Sequence, residues 1–387
     1  MKKLTELPRP SLLAFSAILP LFLLLGGCSD SDSSNGEEAG SREESNSQVA
    51  VQKKPTTRGG AVENIDSDER RQAIDLQTVA GPVQKENMLY AADVRSAFEQ
   101  QNFDWLEQEA ESLRSSEELT RDGMWKIHRF YEGLAKRFGD NKNELMHDQE
   151  RIENWRKAKP DSITAKTAEG HLYIDIAWFI RGGGYSHTVT EEQWEGFHAF
   201  LQRAGQLMTP LVTGGLEDPF SGEVMLHVAL GTGPSREEYD ALMKVLKDRH
   251  PKYWHYDIRR AWSLEERWHG EEGDWEEYAT WAADREDGLG DEVYTRIAIS
   301  RMDAYGNVFR DTAMRWPRAK KGVETLLEKY PDSLFIKSAA TRLAVLGNDR
   351  DMAKKLYEEL GPQFVEDAWL NKEQFVHFRT WARTGRW

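Results

Sequence analysis

The sequence predicts an all-α protein, an irregular α-solenoid of stacked helix pairs carried behind an export signal and a disordered tether. Three observations lead there. Apolar residues recur at helical spacing over segments of about 10 to 18 residues, as in Phe197, Phe200, Leu201, Ala204 and Leu207. Capping boxes mark helix starts at Thr190 with Gln193, Ser235 with Glu238, Asp274 with Glu277, and Asn371 with Gln374. Glycine and proline mark the stops: Gly139-Asp140, Lys159-Pro160, Gly182-Gly183-Gly184, Gly231-Thr232-Gly233-Pro234, His250-Pro251, Tyr330-Pro331 and Gly361-Pro362. Alternating strand-like runs are nearly absent.

The chain begins with a basic pair, Lys2-Lys3, and a mostly apolar stretch from Leu12 to Leu25 interrupted by Pro20. That is about 14 residues, short of the roughly 20 that span a bilayer, so it reads as a signal peptide, residues 1–27. Leu25-Gly26-Gly27-Cys28 has the form of a lipobox, and Cys28 is the only cysteine in 387 residues. The reading is cleavage before Cys28 and lipidation of its thiol. This implies a bacterial envelope lipoprotein, membrane-anchored and facing the periplasm. Ser29, where an aspartate would favour the inner membrane, leans the sorting toward the outer membrane.

Residues 28–87 form the lipidated cysteine and its tether, rich in Ser, Glu, Gly, Asn and Gln and poor in large apolar residues; disorder is the expectation. Such a coil spans roughly 40 Å. The helical domain is placed at 88–387, as one superhelix or as two lobes with a break near 310–320. All 14 tryptophans lie at or after Trp105. With its one thiol acylated, the mature chain has no disulfide to draw on and its apolar core must hold the fold. The formal net charge is −15; removing residues 1–27 takes away Lys2, Lys3 and Arg9 against Glu6, leaving −17. Such a balance disfavours nucleic acid and anionic lipid as partners.

Internal similarity is weak. Lys159-Pro160-Asp161-Ser162 and Tyr330-Pro331-Asp332-Ser333 each close one helix and open the next, and His250-Pro251 is related. Gly347 to Tyr357 reads like the turn and second helix of a tetratricopeptide-type unit. The prolines stand 91 and 80 residues apart, not at a fixed 34, so degenerate helix pairs fit better than a strict array.

From about Phe98 to Tyr305 the chain resembles a family of bacterial domains of unknown function found in secreted and lipid-anchored proteins. The residues that carry the resemblance are Trp125-Lys126 with Phe130 to Leu134, then Trp155, Ala158, Pro160, Ser162 and Ala165, Ala177-Trp178 with Arg181-Gly182, and Leu264 with Arg267-Trp268 and Gly270. His269-Gly270 stands where Gly-Gly is the family pattern. The resemblance implies a helical, tetratricopeptide-like fold and brings no catalytic residue.

The richest local constellation is Arg267 to Trp281. Asp274 caps a helix on which Trp275, Tyr278 and Trp281 fall three apart, with Trp268 in the preceding loop. One reading is a ligand-binding aromatic shelf, with Arg267 and Glu271 at its rim; the other is core packing, the commoner use of aromatics at this spacing. Asp218 and Glu265-Glu266 are the candidates for a glycan-cleaving carboxylate pair. The histidines show no metal spacing, and His250 with His255 is a poor ligand pair across a proline. The glycine run before His187 reads as a helix stop rather than a phosphate cradle. No Gly-x-Ser-x-Gly is present. The stretch Phe375 to Trp387 is an amphipathic last helix or a docking helix. No catalytic, metal or cofactor set is assigned. The leading expectation is a scaffold that binds another envelope protein; the alternative is a protein that binds or cleaves cell-wall glycan.

Overall fold

The computed structural model describes residues 76–135, 142–215 and 218–387. The signal peptide, Cys28, the tether as far as residue 75 and the Gly139-Asp140 stop lie outside the described residues. The described part is all-α, as the periodicity requires. Fifteen α-helices follow one another: α1 (Pro82–Glu99), α2 (Phe103–Ser116), α3 (Lys126–Leu134), α4 (Lys142–Ala158), α5 (Ile163–Arg181), α6 (Glu191–Thr213), α7 (Pro219–Thr232), α8 (Arg236–Arg249), α9 (His255–Ser263), α10 (Asp274–Asp284), α11 (Asp291–Arg301), α12 (Trp316–Lys329), α13 (Leu334–Leu346), α14 (Arg350–Leu360) and α15 (Lys372–Thr384). None of them is long and apolar enough to cross a membrane.

Local chemistry sets the boundaries. The boxes at Thr190 and Ser235 are complete, each side chain accepting from the N3 amide while the N3 side chain returns to the cap. Asn371 accepts from Gln374 N at 2.7 Å, but the Gln374 side chain accepts from Leu370 N, so that box is half made. Asp274 is not a cap: Gly273 holds that position with φ +91°, and the Asp274 carboxylate accepts from Glu271 N and Arg236. Ser162 and Ser333, after the two Pro-Asp pairs, both cap the next helix.

The tether expectation is corrected at its end. Residues 76–87 are folded: Gln77–Thr78 (β1) pairs in parallel with Gln363–Phe364 (β2), Leu76 is buried in the core, and Val83 and Asn87 are buried on α1. The composition of this stretch is too polar to advertise order. It is held instead by backbone bonds to a strand almost 300 residues away, such as Val79 N to Phe364 O at 2.9 Å, and by Pro82 opening α1.

Two apolar clusters make the core. The first runs from Val94 to Tyr256 and the second from Ala261 to Ala382, with Leu76 added to it; Trp254 and Tyr278 touch both. The division therefore falls within α9, which gives Tyr256 to one cluster and Ala261 to the other. Residues 310–320 lie inside the second, where Met314 and Ala319 join Val308 and Val323.

Consecutive helices pack most extensively at α5 with α6, α11 with α12 and α13 with α14, and α7 is buried along nearly its whole length, as its apolar sequence on every face demands. It also touches α3, α5 and α9. Contacts advance together along three helices. Thr167 meets Ser221 and Gly170 faces Val224; Tyr256 bonds Pro219 O and Arg259 bonds Glu223. Helices α5, α7 and α9 thus run parallel, side by side. Trp254 with Arg296 and Trp262 with Arg301 extend the series to α11.

Candidate functional site

Each helix of the parallel trio places side chains at i, i+4 and i+7 on one face: His171, Asp175 and Trp178 on α5; Glu223, His227 and Leu230 on α7; His255, Arg259 and Trp262 on α9. The early turns of α7 and α9 hold a buried polar cluster, and the last turns of α5 and α9 form an aromatic wall. Arg259 joins the two, bonding Glu223 Oε1 at 3.1 Å while its guanidinium lies 5.8 Å from the Trp262 ring.

In the cluster, Glu223 is buried and its Oε2 receives His128 Nδ1 at 2.9 Å and the Tyr253 hydroxyl at 3.1 Å. The other His128 nitrogen faces Glu132 Oε1 at 3.4 Å. A carboxylate only accepts, so the arrangement suits a ring with N–H on both sides. His255 stacks on His128 with centroids 3.8 Å apart and on Trp254 at 3.9 Å. Burial works to raise the Glu223 carboxyl, but His128 and Arg259 outweigh it and hold it well below the usual carboxylate range. Burial, with the His128 charge adding to it, pushes His255 well below the usual imidazole value.

Those directions fix a pH response. The groups facing His255 are His128 from α3, Glu223 from α7, Tyr253 and Arg259 from its own segment, and Arg296 from α11. A neutral buried imidazole gains its proton only on unfolding, so the stability it supports at pH 7 is lost as pH falls through the unfolded value near 6.5. The Glu223 contribution is held above the normal carboxyl value and lost further down, as pH falls through its depressed folded value. His255→Phe, which keeps a ring between His128 and Trp254 but cannot titrate, is expected to lose less stability, or gain more, between pH 7 and pH 5 than the parent in urea unfolding; the same change in both would contradict the assignment.

One ligand atom from each of His128, Glu223 and His255 lies within 4.8 Å of the others, which meets the distance condition for a metal ion. The orientation does not. An imidazole lone pair lies in its ring plane, and two rings stacked at 15° cannot both aim at one ion between them. Glu223 is also already committed to Arg259 and Tyr253. The donor set fits a charge network better than a metal centre.

At the wall, Trp178 meets Trp268 edge to face at 6.0 Å, and Trp268 meets Trp262 at 6.4 Å. Arg181 lies 5.4 Å from the Trp178 ring and 5.3 Å from Trp194. Arg267 and Arg301 lie 5.9 and 5.6 Å from Trp262, and both pair with the buried Glu265. The turn after α9 is pinned to α7 by His269 Nε2 at 2.8 Å from Leu230 O. Among the described residues, the buried indole nitrogens of Trp262 and Trp268 have no hydrogen-bond partner.

The predicted aromatic shelf comes apart. Trp275 is buried in the second core with its indole N–H on the Tyr305 hydroxyl, and half-buried Tyr278 donates to Asp257 at 2.7 Å. Trp281 is 47% exposed and pairs with Arg285 instead. Only Arg267 and Trp268 reach the wall, because the turn 264–270 carries them toward α5 and away from α10. The carboxylate candidates are structural: Asp218 caps α7 and takes Arg114 and the Tyr131 hydroxyl, and Glu265 is shared by two arginines. His255 pairs with His128 rather than His250. Exposed His187 stacks on Tyr185, and Gly182 ends α5 at φ +73°. Phe375, Phe378 and Trp381 are buried on α15, which closes the second core.

The comparisons add no relative: no family model matches the chain, and neither a curated protein nor a solved structure is similar to it.

Proposed function

We propose that this chain is an envelope lipoprotein, cut before Cys28 and held by lipid on that cysteine at the periplasmic side of the outer membrane, whose helical part docks another envelope protein. The lipobox is the support for the anchor. The parallel neighbours α5, α7, α9 and α11, each followed by an antiparallel partner, support an α-solenoid in which these four form the inner layer.

The observation that carries the docking reading is Arg181. It lies against Trp178 and Trp194, bonds only the carbonyls of Gly182 and Gly184, and has no carboxylate partner among its described contacts. A charge held rigid and un-neutralised beside partly exposed tryptophans suits recognition better than stability. Trp178, Arg181, Arg267 and Trp268, which carry the family resemblance in sequence, meet at this wall, and that supports the resemblance as a proposal. The glycan reading loses its shelf with Trp275 buried.

In-cell crosslinking of the tagged chain is expected to enrich one envelope protein, while the purified chain does not sediment with isolated peptidoglycan. Saturable wall binding with no protein enriched would move the assignment to glycan. Cys28→Ala is expected to abolish lipid labelling and leave uncut precursor or a soluble form; normal labelling would contradict the anchor.

A further inference from the structure

We infer that the wall at the end of α5 recognises an acidic peptide segment, whose carboxylates are met by Arg181 beside Trp178 and by Arg267 beside Trp262. This rests on the docking reading above and names the chemistry of the partner. The side chain of Arg267 is 57% exposed.

Three features select a carboxylate. Glu265 serves both Arg267 and Arg301, so one negative charge is spread over two guanidinium groups. Among the described residues Arg181 bonds the carbonyls of Gly182 and Gly184 and no carboxylate, and none of Glu191, Glu192 and Glu195 at the start of α6 forms a described ion pair with it. Among the described residues the buried indole N–H groups of Trp262 and Trp268 have no acceptor, and Glu265 is already shared by Arg267 and Arg301. Against the net charge of −15 these arginines are a local positive patch, the complement of an acidic segment.

The same geometry argues against a sugar ring on Trp262, Trp178 or Trp194. Stacking needs a free tryptophan face, and guanidinium groups stand over Trp262 at 5.6 to 5.9 Å and over Trp178 and Trp194 at 5.4 and 5.3 Å. What remains presented is the fork of donors on each arginine, which matches a carboxylate in plane.

The test is titration of the purified full-length lipoprotein in detergent with the peptide acetyl-Glu-Phe-Glu-Phe-Glu-amide, against its Gln-for-Glu counterpart, read by tryptophan fluorescence. The acidic peptide is expected to bind at least about tenfold more tightly than the Gln peptide, and less tightly as salt rises. Arg181→Ala and Arg267→Ala, checked for an unchanged melting temperature, are each expected to weaken binding several-fold. Arg181→Lys is expected to restore only part of it, since lysine keeps the charge but not the fork. Equal binding of both peptides, no binding of either, or indifference to Arg181→Ala overturns the inference. Should a protein still crosslink in cells at this face while the acidic peptide fails, the docking reading stands and its carboxylate chemistry falls. If both fail, both fall.

Discussion

Glu223→Ala is expected to cost about 3–5 kcal/mol of folding stability, the range for removing one partner of a buried ion pair. The carboxylate is 1% exposed and serves Arg259, His128 and Tyr253 at once. Its loss takes from half-buried Arg259 its carboxylate and leaves buried His128 with Glu132 alone. Differential scanning calorimetry of the purified protein is expected to show the melting temperature lowered by roughly 10 °C. A variant melting within a degree or two of the parent would mean that the cluster is solvated or that its charges are not what hold α3, α7 and α9 together.

Gly322→Ala is the second large effect, and its sign is the informative part. Alanine in a helix interior ordinarily gains about 1 kcal/mol over glycine. Here a β-carbon on α12 would run into the backbone carbonyl of Asp291 and the hydroxyl of Thr295 on α11. The two helices are locked at that crossing by Thr295 Oγ1 donating to Ala319 O at 2.8 Å and by Arg318 on Asp291 at 2.7 Å. Separating them costs about 1–3 kcal/mol or more by overpacking, so a net loss is expected in urea unfolding. A stabilised variant would show that the α11–α12 contact is looser than described.

Much of the helical order was legible in the sequence because it is local. Ser162, Thr190, Ser235 and Ser333 announce their helices through a side chain that reaches only three residues on. The site was legible only in fragments. Arg267 and Trp268 stood out by density of aromatics, yet the same density made Trp275 and Tyr278 look like their partners. Helical spacing tells which residues share a face, not what that face meets. The ladder His255, Arg259 and Trp262 was readable in that sense, but His128 lies 127 positions before His255 and Trp178 lies 90 before Trp268. Nothing local reports that α3 and α5 close on α7 and α9. The folded stretch 76–87 escaped notice for the same reason, since its order comes from β2.

The central claim is that the wall of Trp178, Trp262 and Trp268 with Arg181 and Arg267 is where this protein meets its partner. Photo-crosslinking in living cells tests it most directly, with the reactive side chain placed at Glu266, exposed in the turn that carries Arg267 and Trp268, or at Trp281, exposed on α10. The account predicts one discrete protein adduct from position 266, lost when Arg181 is also replaced by alanine, and none from position 281. Adducts of equal strength from both positions, or from 281 alone, would contradict it.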